Sequence, residues 1–216
     1  MNDHSFLIMA PPDKRDRILD AATKVFAKRG FFAAQVADVA KRAGVAAGTV
    51  YLYFKSKDDL LLSLFERTMR DAIADGRAAL ERLNALDHPV TPIDRLRHIA
   101  HVHLARLGRD RQLAVVFQVE LRQSTKFMAR LSTSSLRDYL GLLRDVIVEG
   151  QQAGQLRPDV NPTLAAKVIF GALDEMATNW ILSEREYQLE DDAEPVMNLL
   201  LGGLQLENGA VRQLGS

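Results

Sequence analysis

Thr49, Tyr51 and Tyr53 gather hydroxyl groups on side chains polar or long enough to meet bases and phosphates, and Lys57 follows with a cation. Such groups recognise by hydrogen bonding and charge, and they break no bond themselves. The rest of the chain offers little for bond-making chemistry. Asp174 and Glu175 could be read as an acid and base pair, but neighbouring residues of a helix point about 100° apart and do not converge on one substrate. No phosphate-binding glycine loop and no Ser/His/Asp spacing is recognisable. His98, His101 and His103 invite a metal reading. The first two are helical neighbours, but His103 cannot share their face well and no carboxylate sits beside them at ligand spacing. The expectation is no metal, no cofactor and no enzyme.

Short helices must position the hydroxyl groups. Val36, Val39 and Ala40 recur at i, i+3, i+4, which gives a first short helix an apolar face. Gly44 can adopt the left-handed conformation that ends it, with Val45 beneath the turn. A second helix over about 46–53 then carries the hydroxyl groups. This is the helix-turn-helix pattern, whose second helix enters the major groove while the first crosses the backbone. Upstream, Asp13 is the N-cap expected for a helix carrying Ile18, Ala21, Ala22, Val25 and Phe26, stopped by Gly30. Phe26 with Phe31 or Phe32 would anchor it, and Lys14, Arg15 and Arg17 either reach phosphates or face solvent. Downstream, Lys57 stands at the N-terminus of a long helix over 58–83, where the helix dipole also favours a phosphate.

Composition agrees with a nucleic-acid partner only when the charge is located. The 216 residues carry no net charge, yet residues 1–60 hold ten Lys/Arg against seven Asp and no Glu, leaving a net of −3 on the remainder. A basic N-terminal module on an acidic body is expected when one part approaches phosphates. The chain has no cysteine, so a disulfide framework and a thiolate metal site are both excluded. No signal peptide is recognisable, and no stretch approaches the ~20 apolar residues that span a membrane. A cytoplasmic protein is expected.

Beyond the loop at 87–92, apolar periodicity predicts helices over about 93–107, 111–123, 127–153, 164–182 and 194–206, with Gly154, Pro158 and Pro162 as punctuation. No strand pattern appears. The fold class is all-α: a disordered tail at 1–12, a three-helix DNA-binding domain at 13–57, and a larger helical body at 58–216. The segment 164–182 is apolar on all sides and needs partners on more than one side. Apolar surface left over in the body would enclose a pocket walled by Met69, Ile99, Val102, Leu104, Phe117, Leu121, Leu140 and Leu143, with Trp180 nearby.

The string GVAAGTVYLYFKSKDDLL resembles the TetR family of bacterial repressors, with glycine, tyrosine, phenylalanine and lysine agreeing in spacing over some twenty positions. The resemblance implies DNA contacts at Gln35, Ala46, Ala47, Gly48, Thr49, Tyr51, Tyr53, Lys55 and Lys57. Gln35 stands where the family usually has Ser or Thr, and glutamine caps a helix less well. Gly48 costs about 1 kcal/mol relative to alanine inside a helix, and the resemblance places it where backbone approaches DNA. The family also implies that the body at 58–216 is a ligand-binding and dimerisation domain, with a homodimer built from its last two helices, here with Phe170, Gly171, Leu173, Ala177, Met197, Leu200, Leu201 and Leu204 as the seam. Two recognition helices would then read a palindromic double-stranded operator.

The strings FQVELRQS, LRDYLGLLRDVIVEGQQAGQLRPDV and LAAKVIFGALDEMATNWIL resemble the branch that regulates fatty-acid degradation and responds to long-chain acyl-coenzyme A. An acyl chain needs an apolar tunnel, and the coenzyme's phosphates need cations at its mouth, which Arg106, Arg109, Arg122 or Lys126 could supply. A sensor of cationic drugs controlling an efflux or stress gene is the alternative. It would need an aromatic and acidic cavity, for which Trp180, Tyr139, Phe117, Glu120, Asp174 and Glu175 offer material. An enzyme using acyl-coenzyme A is the remote alternative.

Overall fold

The computed structural model describes residues 13–123 and 134–204, so the expected N-terminal tail, Lys126 and the start of the helix expected from 127 lie outside the described residues. Every extended regular element among them is helical, in the order α1 (Lys14–Arg29), α2 (Val36–Ala43), α3 (Ala47–Tyr53), α4 (Lys57–Asn84), α5 (Pro92–Gly108), α6 (Arg111–Val115), α7 (Ser134–Gln152), α8 (Pro162–Leu182) and α9 (Ala193–Leu204). The chain forms two compact units, one through Leu64 and one from Phe65, so their boundary falls inside α4.

In the first unit α1 packs on α2 and α2 on α3, burying Ile18, Leu19, Ala22 and Phe26 together with Phe31, Val39, Val50 and Phe54. Phe26 and Phe31 meet edge to face at 5.4 Å, whereas Phe32 is exposed, so Phe31 is the anchor. Asp13 occupies the N-cap position of α1 without a side-chain bond to the helix. Gly44 takes the left-handed conformation at φ 68° that lets α2 turn into α3, and the Val45 N–H returns to the Ala40 carbonyl at 3.0 Å. The Arg17 guanidinium fastens this turn to α1 by donating to the Ala43 carbonyl at 2.9 Å. Arg15 lies over the Phe54 ring at 5.2 Å.

In the second unit α5, α7, α8 and α9 pack around a core that includes Leu96, Leu104, Leu143, Ile147, Leu173, Ala177, Met197 and Leu201. Thr91 caps α5, its hydroxyl accepting from the Asp94 N–H at 3.2 Å, and the Asn161 side chain caps α8 by accepting from the Leu164 N–H at 3.0 Å. The single helix expected over 111–123 instead passes from α6 into a π turn at Val116–Glu120 and a 3-10 turn at Leu121–Gln123. Two polar residues of that π turn, Gln118 and Glu120, point inward and are buried, a demand that apolar periodicity does not reveal. No helix among the described residues is long and apolar enough to cross a membrane.

Candidate functional site

Two sites emerge, one in each unit. In the first, α3 presents Ala47, Gly48, Tyr51, Leu52 and Tyr53 outward while Val50 and Phe54 hold it to the core. Ala46 is exposed at its N-cap position, Thr49 is half-buried, and Gln35 and Lys55 are exposed. A Cβ built on Gly48 meets nothing within 4 Å, so the fold does not require glycine there. Gln35 precedes α2 as expected. Its backbone N–H donates to the Asp38 carboxylate at 3.1 Å, the bond from the third helical residue back to the N-cap in a capping box, and that carboxylate also pairs with Arg29. Leu52, 83% exposed between the two tyrosines, escaped the sequence reading because the search there was for polar groups. Its position suits apolar contact with a thymine methyl group. A basic groove between α1 and α2 was also missed. It is lined by Lys24, Lys28, Arg29, Lys41 and Arg42, and the i, i+4 spacing of Lys24 and Lys28 was its available signal.

Lys57 requires a correction. Its ammonium donates to the carbonyls of Phe31, Phe32 and Ala34 at 2.7, 3.0 and 2.8 Å and sits 4.6 Å from the centre of the Phe31 ring. An ammonium has three donors, and all three are committed inside the unit. Lys57 therefore fastens the loop between α1 and α2 to the start of α4, and the phosphate contact expected of it has no donor left. A cation in the first turn opposes the helix dipole, and the three carbonyls offset that cost. The true cap is Ser56, whose hydroxyl accepts from the Asp59 N–H at 3.1 Å, while the Asp59 carboxylate accepts from the Lys55 N–H at 2.7 Å.

In the second unit a cavity of about 190 Å³ lies among α4, α5, the π turn, α7 and α8. Phe65, Met69, Ala72, Leu107, Phe117, Leu121, Leu136 and Phe170 form its apolar wall, and Phe65 and Phe117 stack at 5.3 Å. Ile99 and Val102 line a smaller adjoining void. Met69, Phe117, Leu121, Arg106 and Arg122 are placed on the cavity wall as the sequence suggested. Others are not. Leu104 and Leu143 are core residues with 0% exposure. Leu104 follows His103 by one residue, so α5 turns it about 100° away, and Leu143 lies about 10 Å along α7 from Leu136. Leu140 and Arg109 do not line the cavity, and Arg109 is exposed at the end of α5. Trp180 belongs elsewhere: its indole N–H donates to the Tyr187 carbonyl at 3.0 Å and its ring lies under the Arg111 guanidinium at 4.9 Å.

The polar part of the wall is a set of matched charges. Arg106 pairs with Asp71 at 3.0 Å and with Asp75, and Arg122 pairs with Asp174. Asp174 also accepts from the Gln118 amide at 2.7 Å, and Gln118 accepts from the Thr178 hydroxyl at 3.1 Å. Glu175 diverges from Asp174, is exposed and accepts from Asn179 at 3.2 Å, as expected of adjacent helical residues. The Tyr139 hydroxyl lies 2.9 Å from His103 Nδ1, and both rings touch Phe170. Burial pushes the His103 imidazole down to about 4, opposed by Asp174 and reinforced by Arg106, and burial raises the Tyr139 phenol above its ordinary value. Gln118 and Phe170 are cavity residues that sequence reading had not assigned there, Phe170 having been expected at the seam. Among the described residues no group of three His, Cys, Asp or Glu side chains could hold a metal ion.

The expected seam also changes. Leu173, Ala177, Met197 and Leu201 are at most 1% exposed within one chain, so they cannot also face a second copy. Phe170 lines the cavity, Leu200 and Leu204 are half-buried, and Gly171 faces outward. The outward stripe is instead Leu164, Val168, Gly171 and Leu182 on α8 with Leu199 and Gly202 on α9. An apolar helix fixes that two faces are covered without fixing which residues lie on each.

A model of bacterial regulatory proteins of the tetR family matches residues 18–64, and one described as the C-terminal region of YsiA-like proteins matches residues 66–203. The chain is 36% identical over 189 residues to the Fatty acid metabolism regulator protein of Bacillus subtilis (strain 168), covering 87% of this chain and 94% of that one. Among solved structures it resembles the fatty acid degradation regulator FadR from Bacillus halodurans, with 38% identity and a TM-score of 0.81 over 92% of this chain and 100% of that one. It also resembles FadR from Bacillus subtilis in complex with stearoyl-CoA, with 35% identity and a TM-score of 0.79 over 87% and 98%. The helix-turn-helix and the cavity-bearing body each match their own part of one family, and the chain therefore belongs to the TetR family of bacterial regulatory proteins, transcriptional regulators and not enzymes.

Proposed function

We propose that the chain is a repressor that binds a palindromic operator as a homodimer in the cytoplasm and is released by a long-chain acyl-coenzyme A, controlling genes of fatty-acid degradation. The observation that carries the effector assignment is the cavity, whose wall is apolar except for Thr68 and the polar set Arg106, Arg122, His103, Gln118 and Asp174. A relative of the same fold holds stearoyl-CoA. At about 190 Å³ the cavity is below the roughly 300–1,000 Å³ typical of ligand sites, so a long chain must widen it. Binding that requires such widening favours a different body conformation, and α4 is the continuous helix through which that preference reaches the DNA-binding unit. A cationic drug is disfavoured because Asp174, the acid on the wall, is already matched by Arg122 and Gln118.

The exposed stripe of Leu164, Val168 and Leu199 supports dimerisation through α8 and α9, and exposed Tyr51, Leu52 and Tyr53 support DNA reading by α3. The test is release of the purified protein from DNA of its own upstream region, followed by fluorescence anisotropy, as acyl-coenzyme A esters, free fatty acids and cationic dyes are added. Release by long-chain acyl-coenzyme A at micromolar concentration is expected. Release by dyes alone would replace the assignment with the drug-sensor reading.

A further inference from the structure

Two buried donors beside the cavity have no acceptor. His103 Nε2 and Arg106 Nε are both closed to solvent and make no hydrogen bond, although each residue uses its other nitrogens. They lie at i and i+3 on α5, and both residues line the cavity and the adjoining void, which is too narrow for a water molecule.

The proton on His103 can be located. Tyr139 is 1% exposed, its phenol stays protonated, and the partner recorded for its hydroxyl is His103 Nδ1. A buried hydroxyl proton needs an acceptor, so the Tyr139 O–H donates and Nδ1 accepts. The imidazole is neutral at physiological pH, and its single proton is therefore on Nε2. Arg106 Nε carries a hydrogen in every state. The patch thus holds two N–H donors, each missing an oxygen, in a cavity whose remaining wall is largely apolar.

We infer that His103 Nε2–H and Arg106 Nε–H receive the carbonyl oxygen of the acyl effector, and so fix the position of the acyl head along the cavity. The inference rests on the acyl-effector reading above. Both donors are closed to solvent and become reachable as the chain widens the cavity, which couples recognition of the carbonyl to the opening step. The carbonyl could belong to a thioester or to a free carboxylate, since both present an acceptor oxygen.

The test compares stearoyl-CoA, its thioether analogue S-octadecyl-CoA, which lacks only the carbonyl oxygen, and stearic acid, by calorimetric titration of the full chain. Leaving buried donors unpaired is expected to weaken the thioether roughly tenfold to hundredfold relative to the thioester. Arg106→Lys keeps the charge facing Asp71 and Asp75 but removes the Nε donor, and His103→Phe removes the other. In each variant the thioester-to-thioether ratio should fall toward one, a change that loss of packing alone would not produce. Tighter binding of stearic acid than of stearoyl-CoA, lost in Arg106→Lys and His103→Phe, makes the free acid the source of the carbonyl, and the same binding undiminished in both variants overturns the inference. Equal binding of thioester and thioether to the wild-type chain overturns the inference and leaves the effector reading standing. Binding of none of the three overturns both. The wild-type ratio decides even if a variant fails to fold.

Discussion

Replacing Lys57 with methionine separates a structural lysine from a phosphate-binding one. The substitution keeps most of the aliphatic stem and removes three charge-assisted hydrogen bonds, two of them to the part-buried carbonyls of Phe31 and Ala34. Bonds to charged groups contribute about 1.5–3 kcal/mol each, the exposed bond to Phe32 contributes little, and the contact with the Phe31 ring adds roughly 0.5 kcal/mol. Recovered lysine entropy of up to about 2 kcal/mol opposes this, so the net loss is about 3 kcal/mol. For a chain of this size that corresponds to a fall in Tm of roughly 6–12 °C in cooperative melting. Locally, the Ala34 amide, which donates to the Gly30 carbonyl at 3.1 Å, should exchange its hydrogen roughly a hundredfold faster. Operator affinity should fall with the loosened unit, but the slope of log affinity against log salt should not change, because no phosphate contact is lost. A phosphate-binding Lys57 would instead leave Tm and exchange untouched and lower the slope by about 0.9. That combination would refute the assignment.

Three further outcomes are expected. His103 titrates near 4 in the folded chain against 6.5 for a free histidine, so the unfolded chain takes up the proton first: about 3 kcal/mol of stability is present above pH 6.5 and is lost as pH falls toward 4. Thermal melts across that window should show His103→Phe with a shallower dependence, His98 supplying part of what remains, and an unchanged slope would count against the buried neutral ring. Leu199→Asp, at a residue 79% exposed, should yield a folded monomer by analytical ultracentrifugation with lost operator binding, whereas Leu201→Ala should cost about 2–5 kcal/mol of stability by denaturant melting; the opposite pattern would restore Leu201 to the seam. Gly150→Ala should lower Tm by several degrees, since the new Cβ would lie 2.7 Å from Leu156 Cδ1 and 3.3 Å from Pro92 Cβ, and the cost of overpacking exceeds the helix propensity gained. A higher Tm would show that Leu156 moves aside freely.

The helices and their order were legible because apolar spacing and punctuation agree. Gly30, Gly44 and Gly154 all adopt positive φ at turns, and α3 starts and ends within a residue of its expected bounds. What sequence could not supply was rotation about each helix axis and the pairing of polar groups. Leu104 and His103 differ by one position, yet one is core and the other lines the cavity. Leu173 and Gly171 differ by two, yet one faces inward and the other outward. Lys57 was misassigned for a related reason: a lysine at a helix start suits a phosphate equally well whether or not three carbonyls from a preceding loop already surround it. The π turn hides Gln118 and Glu120 from any reading that treats polar residues as exposed.

Gly48 sets stability against recognition. With open space where its Cβ would stand, the isolated fold gains about 1 kcal/mol of helix propensity from alanine, so selection for folding alone would remove this glycine. On the proposed reading, in which α3 faces DNA, a glycine on the outward side of α3 lets the backbone approach that partner closely. A scan of all substitutions scored for thermal resistance and again for operator binding should therefore rank position 48 among the most permissive in the first scan and the least permissive in the second, a divergence that marks a surface shaped by its partner.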